Sequence, residues 1–527
     1  MRINKNILRK KPLSIIIPVA AFLLTVAIAS VAAAALDGVG GYDGSGISSG
    51  GGAGRAAYDF QEYVFFTGEP VLLKGTMYIT KSENSDTVIS VYSFNLSNIA
   101  RNIQLTRDIS YTTVSYAKEG GQTVTVTSLT REPAEKIVFN AQTYTLRRMD
   151  FTRSSLVDEK PAVKYYTGNT WYRKQYEVGG GAATSASGNI LTLEATGGFY
   201  GFDQAWGCAD IEETQFVLDY TQSAATTSDG AVRELWSGTT EVRRSQSTVT
   251  ELRYVENEPD AISFRGGYLE TRYNNNVLEF SARLPEMDSL GYATGRLRNY
   301  TDSTQISTFP SVKRLVSPNL SQIRGHWAEE SVSKLFGLEI LTTRPSEYSP
   351  DQYITRAKFA AALVAAAKPV PEETAAKKKN TPKTGKKAAE PKPSFTDVPA
   401  GHEYFTQIEE AFNRGMMKPV DKNEFRPNQK MIVADAAVVF IRALGLEAVA
   451  SAHGAITEYS DDTGIPAYAR DALYVCQKIG LLRGDDRGNI YPMKELTEAE
   501  AAVMIDRLVE YMRKDLKADY RDNIMDY

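Results

Sequence analysis

Tyr348-Ser-Pro350, Phe425-Arg-Pro427 and Ile490-Tyr-Pro492 are three copies of one pattern, and they decide the fold of the C-terminal part. Each places an aromatic or aliphatic residue two positions before a proline. Five or six residues further on a helix opens, at Thr355-Arg-Ala-Lys358, Val433-Ala-Asp-Ala436 and Thr497-Glu-Ala-Glu500. Proline disfavours helix at the residue before it, so the preceding piece is extended. Thr355 and Thr497 suit an N-cap, and Glu500 completes a capping box with Thr497. Beyond the caps, Leu363, Ile441 and Ile505 take equivalent core-facing positions, as do Ala366, Leu444 and Leu508.

Upstream of each proline stand Leu320-Ser-Gln322, Phe395-Thr-Asp-Val398 and Tyr459-Ser-Asp-Asp462, and His326-Trp327-Ala328 opens a first helix in copy one. Apolar residues recur at three and four: Val332, Leu335, Phe336, Ile340; Ile408, Ala411, Phe412, Met416; Leu473, Cys476, Ile479. These are amphipathic helices, two per copy, and repeats of this kind bury each other's faces.

The arrangement resembles the S-layer homology (SLH) repeat, with its F-x-D-V, H-W-A, F-x-P and T-R-A-E elements. Copy one carries Gly325-His-Trp-Ala328 and Thr355-Arg-Ala-Lys-Phe359. Copy two carries Phe395-Thr-Asp-Val398, Gly415-Met-Met417 and Phe425-Arg-Pro427. Copy three carries Gly480-Leu-Leu-Arg-Gly484 and Thr497-Glu-Ala-Glu500. The resemblance implies a pseudo-threefold helical bundle whose grooves bind secondary cell-wall polysaccharide, commonly through a pyruvylated sugar. A ketal carboxylate suits the bidentate fork of arginine, and an aromatic face suits the sugar ring. The implied polysaccharide-binding residues are Trp327, Arg356, Asp397, Asp461 and Gly484. The match is uneven. The arginine of T-R-A-E is present only as Arg356, with Ala434 and Glu498 as its counterparts. The tryptophan is present only as Trp327, with Phe405 and Tyr468 near the corresponding places. Arg344, Lys418 and Arg483 follow the first helices, where a cation could also meet the polymer.

Before the repeats, from residue 58 to 315, the period is two. In Val71–Thr80, Val71, Leu73, Met77 and Ile79 share one face, and Lys74, Thr76 and Thr80 the other. Val88–Leu96, Gln122–Ser128, Glu135–Ala141, Gln215–Tyr220, Thr240–Tyr254 and Val277–Leu284 read as further strands. Glu119-Gly-Gly121, Gly179-Gly-Gly181, Asn257-Glu-Pro259 and Tyr273-Asn-Asn-Asn276 read as turns. The predicted class is therefore multidomain: an antiparallel all-β N-terminal region, a sandwich or barrel, followed by an all-α bundle of three SLH-like repeats. The aromatic stretch Gly197–Trp206 reads as a loop packed onto the core, or as a platform for a sugar or peptide.

The basic head Arg2–Lys11 and the apolar run Leu13–Leu36 read as a signal peptide or a membrane anchor, which places the remainder outside the cytoplasm. The chain then divides into residues 1–36, a Gly/Ser-rich flexible segment (37–57), the β region (58–315), repeat 1 (316–368), a Lys/Pro-rich linker (369–393), repeat 2 (394–450), repeat 3 (451–515) and a tail (516–527).

Sixty Lys and Arg oppose 64 Asp and Glu, giving a net charge of −4, which does not suggest a nucleic-acid partner. The expected partners are the peptidoglycan-linked polysaccharide, a membrane only through an uncleaved N-terminus, and other copies of the chain in a surface layer. Three histidines and two distant cysteines, Cys208 and Cys476, imply neither a metal site nor a disulfide, and no cofactor is expected. Residues 58–315 hold no histidine, which removes Ser-His-Asp and Cys-His chemistry there. A carboxylate pair, Asp210 with Glu212 or Glu213, would suit glycoside hydrolysis. The leading expectation is a non-catalytic surface protein held on the wall, displaying its β region for adhesion or surface-layer assembly. The alternative is a wall-tethered polysaccharide hydrolase.

Overall fold

A computed structural model describes residues 46–49, 57–84, 86–118, 121–140, 142–179, 188–222, 232–255, 266–288, 293–307, 310–368, 393–450 and 456–520. The N-terminal signal or anchor, most of the Gly/Ser segment and nearly all of the Lys/Pro linker lie outside these residues; within the segment expected to be flexible, Gly46–Ser48 form a buried strand paired with residues 60–62.

The first half is one antiparallel sheet of 15 strands among the described residues. In chain order these are β1 (Gly46–Ser48), β2 (Ala57–Val64), β3 (Val71–Asn84), β4 (Thr87–Asn98), β5 (Ile103–Ala117), β6 (Gln122–Leu129), β7 (Ala134–Phe139) and β8 (Gln142–Glu159). They continue as β9 (Val163–Gly179), β10 (Asn189–Gln204), β11 (Gly207–Gln222), β12 (Arg233–Val255), β13 (Gly267–Met287), β14 (Ala293–Ser307) and β15 (Ser311–Val316). Neighbours in sequence pair with each other, except that β7 sits beside β5 and β8 and β15 returns to β13.

Period-two alternation gives the sheet one apolar and one polar face. Val71, Leu73 and Met77 on β3, and Tyr144, Leu146, Met149 and Phe151 on β8, point to one buried face, and Lys74, Arg148 and Asp150 point out. The chain at the end of β2 crosses the enclosed space. Phe65 packs on Phe216 and Phe280, and Phe66 on Tyr144 and Tyr176. Side chains join the ends of the sheet: the Tyr63 hydroxyl donates to Asp302 at 3.0 Å, and Asn276 donates to the Ser48 carbonyl at 2.8 Å. The result is a barrel-like sheet with a filled interior.

Two segments differ from their sequence reading. Tyr273–Asn276, expected as a turn, lies inside β13 and pairs with β12, and Asn276 is fully buried. Turn-forming asparagines are tolerated there because the side chain of Asn276 meets β1 instead of its own backbone. Gly197–Gln204, expected as a loop, belongs to β10. Its glycines serve close approach. A Cβ on Gly201 would stand 2.5 Å from the Ala209 carbonyl oxygen and 2.7 Å from the Tyr166 hydroxyl.

The interior also holds two charge-balanced ionic networks. Arg107 donates to Glu62 at 2.8 and 3.0 Å and to Glu135 at 2.8 Å, while Lys174 and Tyr176 each reach Glu135 at 3.1 Å. Arg153 and Arg244 grip Glu212 at 2.6 and 2.9 Å, and Arg244 meets Asp210 at 2.5 Å outside hydrogen-bond geometry. Burial of such groups costs several kcal/mol per ion unless each is paired, so these contacts fix which strands face each other across the interior.

The second half is helical: α1 (Glu329–Gly337), α2 (Arg356–Ala366), α3 (Phe405–Asn413), α4 (Val433–Leu444), α5 (Arg470–Lys478) and α6 (Glu498–Glu510). After α6 the chain continues through a π turn, Tyr511–Asp515, and a short helix, Leu516–Asp519. Both cysteines are free thiols; Cys476 is buried in the helical half and Cys208 half-buried in the sheet.

The helices share a continuous core with one end of the sheet, through Ala162, Val163, Tyr165, Phe202, Trp206 and Leu315, while the barrel interior forms a second core. A helix ends with carbonyls that lack an internal partner. Here the β half supplies donors. Trp206 Nε1 reaches the Ala366 carbonyl at 3.0 Å, the Ala162 amide reaches Ala443 at 2.8 Å, and the Tyr165 hydroxyl reaches Leu444 at 3.2 Å. Gln204 Nε2 donates to Met512 at 2.6 Å. The aromatic stretch is therefore a base plate under the helix ends.

Burial alone would raise the Glu135 carboxyl, but Arg107 and Lys174 outweigh it and hold it at about 2, below its ordinary 4.5. A depressed carboxylate contributes stability above its ordinary value and loses it as the pH falls through the folded value. Denaturant unfolding should therefore lose the contribution of Glu135 between pH 4.5 and about 2. Glu135→Gln should cost about 3–5 kcal/mol at pH 7, because it leaves buried cations under-paired.

Candidate functional site

The three repeats close on each other through a cyclic set of backbone hydrogen bonds. The amides of Ile354, Met431 and Leu496 donate to the carbonyls of Leu496, Ile354 and Met431 at 2.9, 3.1 and 2.8 Å. Their side chains are all buried. One turn outward, Ala357 donates to Pro427, Ala434 to Pro492 and Ala499 to Pro350 at 3.0, 2.9 and 3.1 Å. Arg356, Val433 and Glu498 donate to Gln429, Lys494 and Gln352 at 2.8, 3.1 and 2.7 Å. Packing follows the same order: α2 on α3, α4 on α5, α6 on α1. Three units thus surround one axis.

This register corrects the alignment of copy two. The residue opposite Arg356 is Val433, not Ala434, and the core positions matching Leu363 and Ala366 are Phe440 and Ala443. The N-cap of α4 is Ile432, which offers no side-chain acceptor, so the cap signal that marks Thr355 and Thr497 is missing there. With Ile432 in place, all three caps stand five residues after their proline. The N-caps Ala328, Tyr404 and Ala469 likewise align Trp327 with Glu403 and Tyr468, so Phe405 is displaced. Gly401-His402, overlooked in the sequence, repeats Gly325-His326. His402 Nδ1 accepts from the Tyr404 amide at 3.1 Å, as His326 Nδ1 does from Ala328 at 3.2 Å.

Asp397 and Asp461 occupy equivalent places. Asp397 accepts from the Phe425 and Arg426 amides at 2.9 and 2.7 Å, and Asp461 from the Ile490 and Tyr491 amides at 2.9 and 2.7 Å. Arg426 and Tyr491 have φ of 57° and 51°, a left-handed backbone that costs a non-glycine residue on the order of 1 kcal/mol. The two carboxylates hold that turn in front of each proline. Copy one has Gln322 instead, whose amide reaches the Pro345 carbonyl, and its pre-proline Ser349 is not left-handed.

Arg356 is buried at the junction of repeats 1 and 2. Its Nε donates to the Phe425 carbonyl at 3.0 Å and its Nη2 to Lys418 at 3.2 Å, with the guanidinium 5.0 Å from the Phe425 ring centre. Glu498, the counterpart between repeats 3 and 1, is also buried and pairs with Lys358 at 2.5 Å. Lys358 and Glu498, together with Leu341, Tyr348 and Tyr404, line a small cavity where all three repeats meet. Trp327 is 65 % exposed beside His326. Tyr468, its counterpart, is 59 % exposed and donates to Asp435 at 2.8 Å. Gly484 lies against the turn at Gly488, where a Cβ would stand 2.7 Å from the backbone. Arg344 is exposed and pairs with Glu347, Arg483 is exposed, and Lys418 contributes its carbonyl to Arg356.

A family model for the S-layer homology domain matches residues 323–360 and 394–437. The chain carries S-layer homology domains. The third copy follows from the cyclic register. An amylopullulanase of Thermoanaerobacterium thermosulfurigenes is 26 % identical over 214 residues, 40 % of this chain and 10 % of that protein. Exoglucanase XynX of Acetivibrio thermocellus is 23 % identical over 281 residues, 51 % of this chain and 24 % of that protein. A surface-layer 125 kDa protein of Lysinibacillus sphaericus is 26 % identical over 129 residues, 24 % of this chain and 11 % of that protein. The chain thus spans a quarter or less of the length of these relatives. SLH domains bind cell-wall polysaccharide, and the protein is secreted and cell-wall-associated.

Asp461→Ala should remove two charge-assisted hydrogen bonds and leave Tyr491 strained. Equilibrium unfolding should show a loss of about 2–3 kcal/mol. Trp327→Ala, at an exposed position, should stay within about 0.5 kcal/mol of the parent.

Proposed function

We propose that the SLH repeats hold the chain non-covalently on pyruvylated, peptidoglycan-linked polysaccharide, and that the β half is displayed as a non-catalytic module for adhesion or surface-layer assembly. The cyclic backbone register carries this reading, because it creates three junctions between repeats on one rigid bundle. Trp327 offers an open aromatic face to a sugar ring. Arg356 has N–H groups beyond the two that hold repeat 2, and these suit a carboxylate. Asp397, Asp461 and Gly484 shape the turns that border the junctions.

The names of the amylopullulanase and exoglucanase relatives favour the rival reading of a wall-tethered hydrolase. Against it stands the state of the carboxylates singled out in the β half. Asp210 and Glu212 are sealed from solvent and engaged by arginine, and half-exposed Glu213 pairs with Arg243 at 3.4 Å. A glycosidase needs two carboxyl groups facing one open cleft.

The test is co-sedimentation of the full chain with purified sacculi. Retention should be strong on intact sacculi, lost when the pyruvyl groups are absent, and weakened at least tenfold by Trp327→Ala at unchanged melting temperature. Equal retention with and without the pyruvyl groups contradicts the mechanism. Release of reducing ends from pullulan or xylan would support the hydrolase instead.

A further inference from the structure

The sheet is closed by side chains, not by a ladder, where β2 meets β14, and an open cleft of about 450 Å³ lies at this seam. That volume is within the range of small-ligand sites. Its floor is apolar: half-buried Pro70 and Leu72, backed by the buried rings of Tyr63 and Phe280, which pack at 4.5 Å between centroids. Its wall is β14, from Arg298 to Asp302. Among the described residues β14 pairs only with β13, so every second residue turns its N–H and C=O away from the sheet. Among the described residues no acidic group pairs with Arg298, which is exposed with its guanidinium 5.2 Å from the Tyr300 ring centre.

We infer that this seam is a second carbohydrate site, in the β half, for a sugar that carries a carboxylate. The chemistry divides among the parts. Pro70, Leu72 and the half-buried ring of Tyr300 meet the flat C–H face of a pyranose. Free edge groups of β14 meet hydroxyls. Arg298, oriented by Tyr300 and unpaired, takes the carboxylate. Asp302 is the one carboxylate among the lining residues, and it already accepts from Tyr63. A lone, engaged carboxylate cannot supply the acid and base pair of glycoside hydrolysis, so the cleft holds a glycan and does not cut it. The site lies in the β half and stands independently of how the SLH repeats bind.

The experiment is isothermal titration of the full chain with trigalacturonate, a carboxylated trisaccharide, and with neutral maltotriose. Trigalacturonate should bind, at least tenfold tighter than maltotriose, and both Arg298→Ala and Tyr300→Ala should weaken it at least tenfold. Arg298 is exposed and has no ion pair among the described residues, so its removal leaves the fold intact, which a thermal melt checks. Three results overturn the assignment: no binding of trigalacturonate, equal binding of the neutral sugar, or affinity unchanged by both substitutions.

Discussion

Backbone hydrogen bonds that run from each helical repeat to the next, and from the last back to the first, are the constraint on which the rest of the structure depends. Each repeat alone is a pair of helices of 9 to 13 residues, short for independent stability. Closure changes that. The Ile354, Met431 and Leu496 triangle buries three apolar side chains on the axis and satisfies three amides at once. It also sets where Arg356 and Glu498 fall, and hence which junction carries a guanidinium and which an internal ion pair. The uneven chemistry of the three junctions is a consequence of one symmetric scaffold bearing three unequal sequences.

The sheet completes the scaffold at the other end. Helix C-termini carry partial negative charge and unpaired carbonyls. Trp206, Tyr165, Gln204 and the Ala162 amide meet them from one side of the barrel, and Arg414 ties the Pro161 and Ala367 carbonyls together. The caps and the exposed Trp327 lie at the helix N-termini, away from the covered carbonyls. Helical bundle and sheet therefore share one body, with the caps and Trp327 at the end away from the β half.

Much of this was legible in the sequence wherever the signal is local. The alternation of Val71, Leu73 and Met77 marks a strand, and Thr497 with Glu500 marks a cap that forms as read. The signal fails where the cause is distant. Ile432 caps α4 without a side-chain acceptor because the Lys494 and Pro492 carbonyls hold the two amides that follow it, so the second copy reads one residue out of register. Gly197 and Gly201 look like loop residues until Thr214 and Ala209 are seen pressed against them. The ionic networks reach beyond paired strands: Glu62 on β2 meets Arg107 on β5, Lys174 on β9 meets Glu135 on β7, and Arg153 on β8 meets Glu212 on β11, and no spacing in the chain announces these contacts. Arg356 shows the same limit at the candidate site. Its residue type fits a ligand, but its contacts to Phe425 and Lys418 come from a repeat about 60 to 70 residues away.

Hydrogen–deuterium exchange of the full chain, resolved to the Ala357, Ala434 and Ala499 amides, tests the closed ring most directly. All three should be protected to a similar degree and should open together with the axial amides of Ile354, Met431 and Leu496. Exchange of any one of the three at the rate of exposed loops, with the other two still protected, would contradict it.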